Sequence, residues 1–499
     1  MASYRFGLKD VFHIGFIAFA LVMSGLLVDR YYLRGGEDTL EVPAERLGKV
    51  ESESNWYGIY MRDKKIGYSQ STTTNLDSQL VCTDRTYLEF TMVGRRQAIN
   101  SYSRAVVDSR MNLQSFIFTL SGQDTDFGVR GRVDGEELAL TITMAGESRG
   151  EIIELDEPIQ LPNTVQLLLE EKGFEPGAKY STQVFDPSSM KNVPLEIEVV
   201  GRESIEFRGT PTEVTHVRQN MGGLGVDSYF DSEGNLLVER SGMGYRLVLE
   251  DESTAAVGDW ATQGTDIQKL VAVVPDVSLA DARRLARLRI ELSGIGEDTL
   301  VLRGGPQQYE KPILDVTIQP PAPPGPADTL PTSVRDASLA PGSFVQSEHP
   351  RLLAVASQII DLQASDVDKI RGILIWLEAN IAKKPTFSIP NTLEVLERRS
   401  GDCNEFAVLF ASLARAAGIP TRIAMGLVYV EDAFYYHAWC ECWLNDWIPV
   451  DPVFGQFPAD ATHLRFIAGD MDRQVEILPL VGSLGIRVLD SSEGLESVR

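Results

Sequence analysis

The stretch GDCNEFAVLFASLARAAGIP, residues 401–420, decides how the C-terminal third of the chain folds. Within it Phe406, Leu409, Phe410, Leu413, Ala414 and Ala417 fall at i, i+3, i+4, i+7, i+8 and i+11, which predicts a helix with one apolar stripe. Gly418 and Pro420 supply the stop. Cys403 therefore stands at the helix N-terminus. Unsatisfied N–H groups and the helix dipole there favour thiolate over thiol, and the Cys403 amide itself is available to an oxyanion. A buried cysteine alone is commonly an inert small hydrophobe, so the reading rests on its neighbours.

Downstream, residues 422–430 and 434–443 read as two strands joined through Glu431, Asp432 and Ala433. On the second, His437, Trp439, Glu441 and Trp443 share one face and Ala438, Cys440 and Cys442 the other. A zinc site on His437, Cys440 and Cys442 would need ligands from both faces, so no metal is expected and the two cysteines read as core filler. A third strand, residues 447–451, carries Asp451. A five-residue loop would set His437 directly opposite Asp451 and a three-residue loop would make them diagonal neighbours, whereas a two-residue turn at Asn445 and Asp446 would put them on opposite faces. An acid–base role for this pair thus demands an odd-length hairpin loop.

Gly401-Asp-Cys-Asn-Glu-Phe-Ala, Arg415-Ala-Ala-Gly-Ile-Pro-Thr-Arg422, His437-Ala-Trp439 and Val450-Asp-Pro452 together resemble the bacterial transglutaminase-like cysteine enzymes over about residues 350–470. The resemblance implies a papain-like core, a catalytic set of Cys403, His437 and Asp451, and no cofactor. The residue types give the chemistry. His437 takes the Cys403 proton or pairs with it as imidazolium beside thiolate, Asp451 fixes the imidazole, and the sulfur attacks an amide carbonyl, with water or an amine resolving the thioester. Trp439, the candidate substrate-binding residue, is expected to wall the cleft or to pack beside His437. Glu405 reads as a first-turn carboxylate, Asp402 as a backbone cap, and His463 as structural or superficial, because no strand pairing places it near Cys403.

Residues 50–260 alternate apolar and polar positions between turn clusters such as Asp63-Lys64-Lys65 and Ser232-Glu233-Gly234-Asn235, which predicts a β-rich ectodomain. Residues 165–172 read as a short helix within it. Residues 261–318 read as a small β-module or an extension of it, 319–335 as a proline-rich linker, 345–470 as the catalytic domain and 471–499 as a C-terminal extension. Ser365 caps a helix whose apolar positions include Ile370, Ile373, Leu374 and Leu377, and Pro385 is expected to end it. Residues 11–28 are uncharged and apolar, which predicts one transmembrane helix. The expected fold class is α+β: transmembrane helix, β-rich ectodomain, C-terminal papain-like core. The expected location is a bacterial inner membrane, single-pass, with the bulk extracytoplasmic and peptide or protein substrates that include cell-envelope material. Four cysteines among 499 residues do not make a disulfide scaffold, and a formal charge of -25 argues against nucleic acid as a partner.

Overall fold

The computed structural model describes residues 53–494 except for short internal stretches, of which 261–268 and 322–329 are the longest. The chain divides into two compact units, meeting in sequence at Asp266 and Ile267.

In the N-terminal unit the period-two pattern forms a single sheet of fifteen strands from Glu53–Met61 to Tyr245–Glu250. The first eight strands meander outward to Glu147–Glu154. The chain then starts again at Ile159–Gln160 and meanders back until Tyr245–Glu250 pairs with Glu53–Met61. Neighbours are antiparallel apart from the pairing of Ile159–Gln160 with Lys179–Asp186. The turn clusters act as expected. Asp231 Oδ1 accepts from the Glu233 and Asn235 amides, and Gly234 takes the positive φ that closes the hairpin. Alternate residues such as Val184, Leu195, Val217 and Phe230 build a core on one face. A 3-10 turn, Pro162–Thr164, opens the segment read as a helix, most of whose remaining residues lie outside those described.

The C-terminal unit holds two four-stranded sheets and a set of helices. One sheet orders Trp447–Val450, Ala433–Trp443, Thr421–Val430 and Leu464–Gly469 side by side. The other orders Gln307–Glu310, Ile313–Thr317, Leu285–Ser293 and Gly485–Glu493. The segments expected as a small β-module and as a C-terminal extension therefore share one sheet. It is tied to the first sheet by Arg465, which pairs with Glu441 at 2.7 Å and donates to the Arg303 and Gly304 carbonyls.

The α+β expectation is corrected: the described residues are mostly β, with 53% of them in strands and 19% in helices. The helical pattern is concentrated in residues 350–417, whereas strands run through the described part of the N-terminal unit and lie on both flanks of the helices. The expected transmembrane helix at residues 11–28 lies outside the described residues, and no described helix is long and apolar enough to cross a membrane. Much of the proline-rich segment also lies outside them.

The Cys403–Ala416 helix is buried on every side rather than along a stripe, because Pro350–Ile359, Asp366–Asn380 and Thr392–Arg398 pack on it as well as the sheet. Phe406, Leu409, Phe410 and Leu413 are each fully buried, at about 1.5–3 kcal/mol apiece. Its polar residues are matched: Arg415 ion-pairs with Asp470 and donates to the Thr421 and Ala340 carbonyls, and Ser412 bonds Thr392. The Asp366–Asn380 helix carries its Ser365 cap and ends at Asn380, before Pro385, where Ile381 turns extended.

Candidate active site

The local fold around Cys403 follows from a capping box. Asp402 is the N-cap and accepts from the Asn404 amide at 3.0 Å, while Glu405 reaches back to the Asp402 amide at 2.9 Å. Gly401 is required here, since a Cβ on it would stand 2.2 Å from the Glu405 Cβ. Cys403 is thereby the first helical residue, and its amide has no intrahelical acceptor. The thiol accepts a hydrogen bond from the backbone N–H of Ala438, which places it against the strand at the residue after His437.

The hairpin that carries His437 and Asp451 has a three-residue loop, Leu444, Asn445 and Asp446, with Trp443 paired to Trp447 and Cys440 to Val450. Asn445 takes the left-handed conformation that such a loop needs. This odd length makes His437 and Asp451 diagonal neighbours, with Nε2 2.8 Å from Oδ2. Both residues are fully buried, as is Cys403. Asp451 Oδ1 accepts from the Val453 and Phe454 amides at 2.7 and 2.9 Å.

Trp439 is buried beside this pair, stacked at 6.2 Å from His437, so its ring faces no solvent. Its indole Nε1–H meets no acceptor among the described residues. Cys440 turns to the helix and donates to the Ala407 carbonyl, and Cys442 lies against Thr421, both as core.

His463, read from the sequence as structural or superficial, is buried against Asp451. Its Nε2 lies 2.9 Å from Asp451 Oδ2, and its Nδ1 lies 3.0 Å from the Asp460 carbonyl oxygen. The cause is Gly426, the strand residue paired with His437. The Leu464 carbonyl oxygen sits 1.9 Å from where a Gly426 Cβ would be, so the chain at 463–464 crosses onto the His437 face. The only sequence signal was a carboxylate three residues before a histidine, Asp460 and His463.

The surroundings of Cys403 oppose the expected thiolate. Burial pushes the Cys403 thiol well up, and the Asp402 and Glu405 carboxylates add to it, against the single Ala438 amide. Burial also lowers His437, an effect that Asp451 opposes and His463 reinforces. Asp451 is held below the usual carboxylate range despite its burial, because both imidazoles bond to it. Burial works against a charge on His463 as well, yet Asp460 and Asp451 outweigh it and raise it to about 9. Asp460 itself is lowered to about 2 against its burial, through Arg283 and His463.

His437, Asp451 and His463 each offer one atom within 4.8 Å of the others, so a cation there has to be considered. Their separations of 2.8 and 2.9 Å are those of hydrogen bonds and are shorter than the roughly 3.4 Å between ligands of a tetrahedral ion at about 2.1 Å. The donor set fits protons better than a metal.

Residues 353–452 match the model of the transglutaminase-like superfamily. No curated protein matches the chain. Similar solved structures include a β-barrel-like protein of a domain of unknown function from Brucella abortus, with 9% identity, 40% of this chain and 96% of that one covered, and a TM-score of 0.33. They also include a proposed cysteine protease from Cytophaga hutchinsonii (16% identity, 42% and 86% covered, TM-score 0.28). A proposed protease from Parabacteroides distasonis is a third (10%, 74% and 69%, 0.19). At these TM-scores they carry no argument about this chain. Residues 353–452, which hold Cys403, His437 and Asp451 and stop short of His463, form a transglutaminase-like superfamily domain.

Proposed function

We propose that the C-terminal unit is a thiol enzyme that attacks peptide or protein amides, with Cys403 as nucleophile, His437 as base and acid, and Asp451 as orienter. The observation that carries this reading is the buried 2.8 Å bond from His437 Nε2 to Asp451 on the strand whose Ala438 amide touches the Cys403 thiol. With Nε2 protonated on Asp451, Nδ1 receives the thiol proton as Sγ bonds to the carbonyl carbon. The oxyanion develops beside the first-turn amide of Cys403. Collapse breaks the C–N bond, His437 protonates the departing amine, and a thioester remains. Water or a second amine, deprotonated by His437, attacks the thioester; the C–S bond breaks, the acid or new amide leaves, and His437 returns the proton to sulfur. Trp439 Nε1–H is the donor we assign to the bound substrate.

One observation favours a second reading, a fold kept for binding without chemistry: Cys403, His437 and Asp451 are all shielded from solvent. The two separate in a trapping experiment. The full chain is incubated with amide-bearing peptides and hydroxylamine, and hydroxamate and a thioester on Cys403 are sought by mass spectrometry. Both products should form and both should vanish in Cys403→Ala. Product that persists in that variant, or a folded protein that forms none, overturns the enzyme reading.

A further inference from the structure

The Asp451 carboxylate is bonded on all sides: two backbone amides on Oδ1 and two imidazoles on Oδ2. An ionised carboxylate only accepts, so each of the four partners must bring a proton. His437 Nε2 and His463 Nε2 are therefore both N–H. For His463 the count goes further. Its Nδ1 lies 3.0 Å from the Asp460 carbonyl oxygen and 3.5 Å from Asp460 Oδ1, and both of these oxygens are acceptors. Nδ1 must carry a proton too, and a histidine with both nitrogens protonated is an imidazolium.

We propose that His463 is a positioning residue: a buried imidazolium that offsets the Asp451 charge and so keeps His437 neutral, protonated on Nε2 and open on Nδ1 to the Cys403 proton. This deepens the reading above and rests on it for its catalytic meaning. The charged groups around His463 alternate in sign. Arg283 stands 2.9 Å from Asp460, Asp460 meets His463, and His463 meets Asp451, which meets His437. Trp439 and Phe454 close the remaining sides, at 5.2 and 5.9 Å ring to ring, and add no charge. Without the imidazolium, only the more distant Arg283 would offset the Asp451 charge facing His437, and Asp451 would favour the protonated form, which cannot accept from the thiol. The raised His463 and lowered His437 agree in direction with this arrangement.

The charges of His437 and His463 would stand about one ring-to-ring distance apart, 6.0 Å. At an effective dielectric constant of about 20, one charge at that distance is equivalent to about two pH units, an upper figure once relaxation is allowed. His463→Gln keeps a donor for Asp451 and removes the charge. The acid limb of the kcat/KM profile should then move up by about one to two pH units, with plateau kcat within a few-fold of the parent. A role confined to packing would lower the plateau and leave the limb in place.

The protonation states can be read without activity from 15N spectra of histidine-labelled full-length protein, in which five histidines are assigned by single substitutions. His463 should show two protonated nitrogens from pH 6 to 8, and His437 one, on Nε2. A neutral His463 at pH 7 overturns the proposal, as does a His437 titration that His463→Gln leaves unmoved. Absence of turnover in every variant counts against the enzyme reading alone, since the spectra still decide the charge on His463.

Discussion

Replacing Asp451 by Asn changes one atom's chemistry and almost none of its volume, and the hydrogen bonds around it set the cost. With the amide nitrogen toward the histidines, Nδ2–H faces two N–H donors, those of His437 and His463; flipped, it faces the Val453 and Phe454 amides. Either way two donors lose their acceptor. His437 can escape by moving its proton to Nδ1 and accepting from Asn on Nε2, which leaves the proton on the nitrogen that has to receive one from Cys403. A base held in the wrong tautomer in this kind of triad costs about 10⁴ in kcat, or about 5 kcal/mol. Folding suffers separately. His463 loses a buried counter-charge, and removing one partner of a buried pair costs about 3–5 kcal/mol. The measurement is single-turnover hydroxamate formation on full-length Asp451→Asn, at a temperature where circular dichroism shows it folded. We expect a fall of 10³- to 10⁴-fold together with a lower Tm. A folded variant that turns over within tenfold of the parent would refute the assignment of Asp451 as orienter.

Two further outcomes follow from the same site. His463 is raised in the folded protein to about 9 from an unfolded value near 6.5, so its stabilising contribution is fully present below about pH 6.5 and is lost as pH rises through about 9. Urea unfolding read by tryptophan fluorescence, which reports mainly the C-terminal unit because Trp376, Trp439, Trp443 and Trp447 all lie there, should lose about 3 kcal/mol between pH 6 and 9.5. His463→Gln should flatten that dependence, and a parent curve as flat as the variant's counts against an imidazolium. Because the histidine and carboxylate atoms sit at hydrogen-bond spacing, dialysis against a chelator should leave hydroxamate formation and Tm unchanged; a loss of half the activity that zinc restores would turn the trio into a metal site.

What was legible in the sequence was what local periodicity encodes. The helix at Cys403–Ala416 was readable because its apolar residues recur at helical spacing and Gly418 and Pro420 end it. The parity of Ala433–Trp443 sorted His437 from Cys440 and Cys442, and parity alone required an odd loop where three residues are found. Contacts set by distant segments were not legible. Leu285–Ser293 pairs with Gly485–Glu493, nearly two hundred residues away, and no window of sequence contains both strands. His463 reaches Asp451 only because Leu464–Gly469 docks on the far side of Thr421–Val430 and crosses at Gly426, a pairing invisible without the sheet order. Trp439 was placed on the face of His437, but His463, which packs edge-on against its ring, comes from a segment that strand parity does not reach.

The position of Cys403 looks made for a thiolate, and the reason its surroundings favour a thiol lies in magnitudes. A helix N-terminus favours an anion by about 0.3–1 kcal/mol at the surface and by no more than about 2 kcal/mol in the best partly buried cases. Against it stand complete removal from water and two carboxylates, the N-cap Asp402 and the first-turn Glu405, which the capping box itself holds at this end of the helix. The sequence that starts the helix so firmly also cancels the dipole it creates. Cys403 and His437 are pushed in opposite senses, the thiol up and the imidazole down, and both directions favour the uncharged pair at rest. Proton transfer then has to accompany attack on the carbonyl rather than precede it. The neutrality of His437 becomes the condition that governs the low-pH side of the reaction, and that neutrality depends on His463, a residue outside the matched domain.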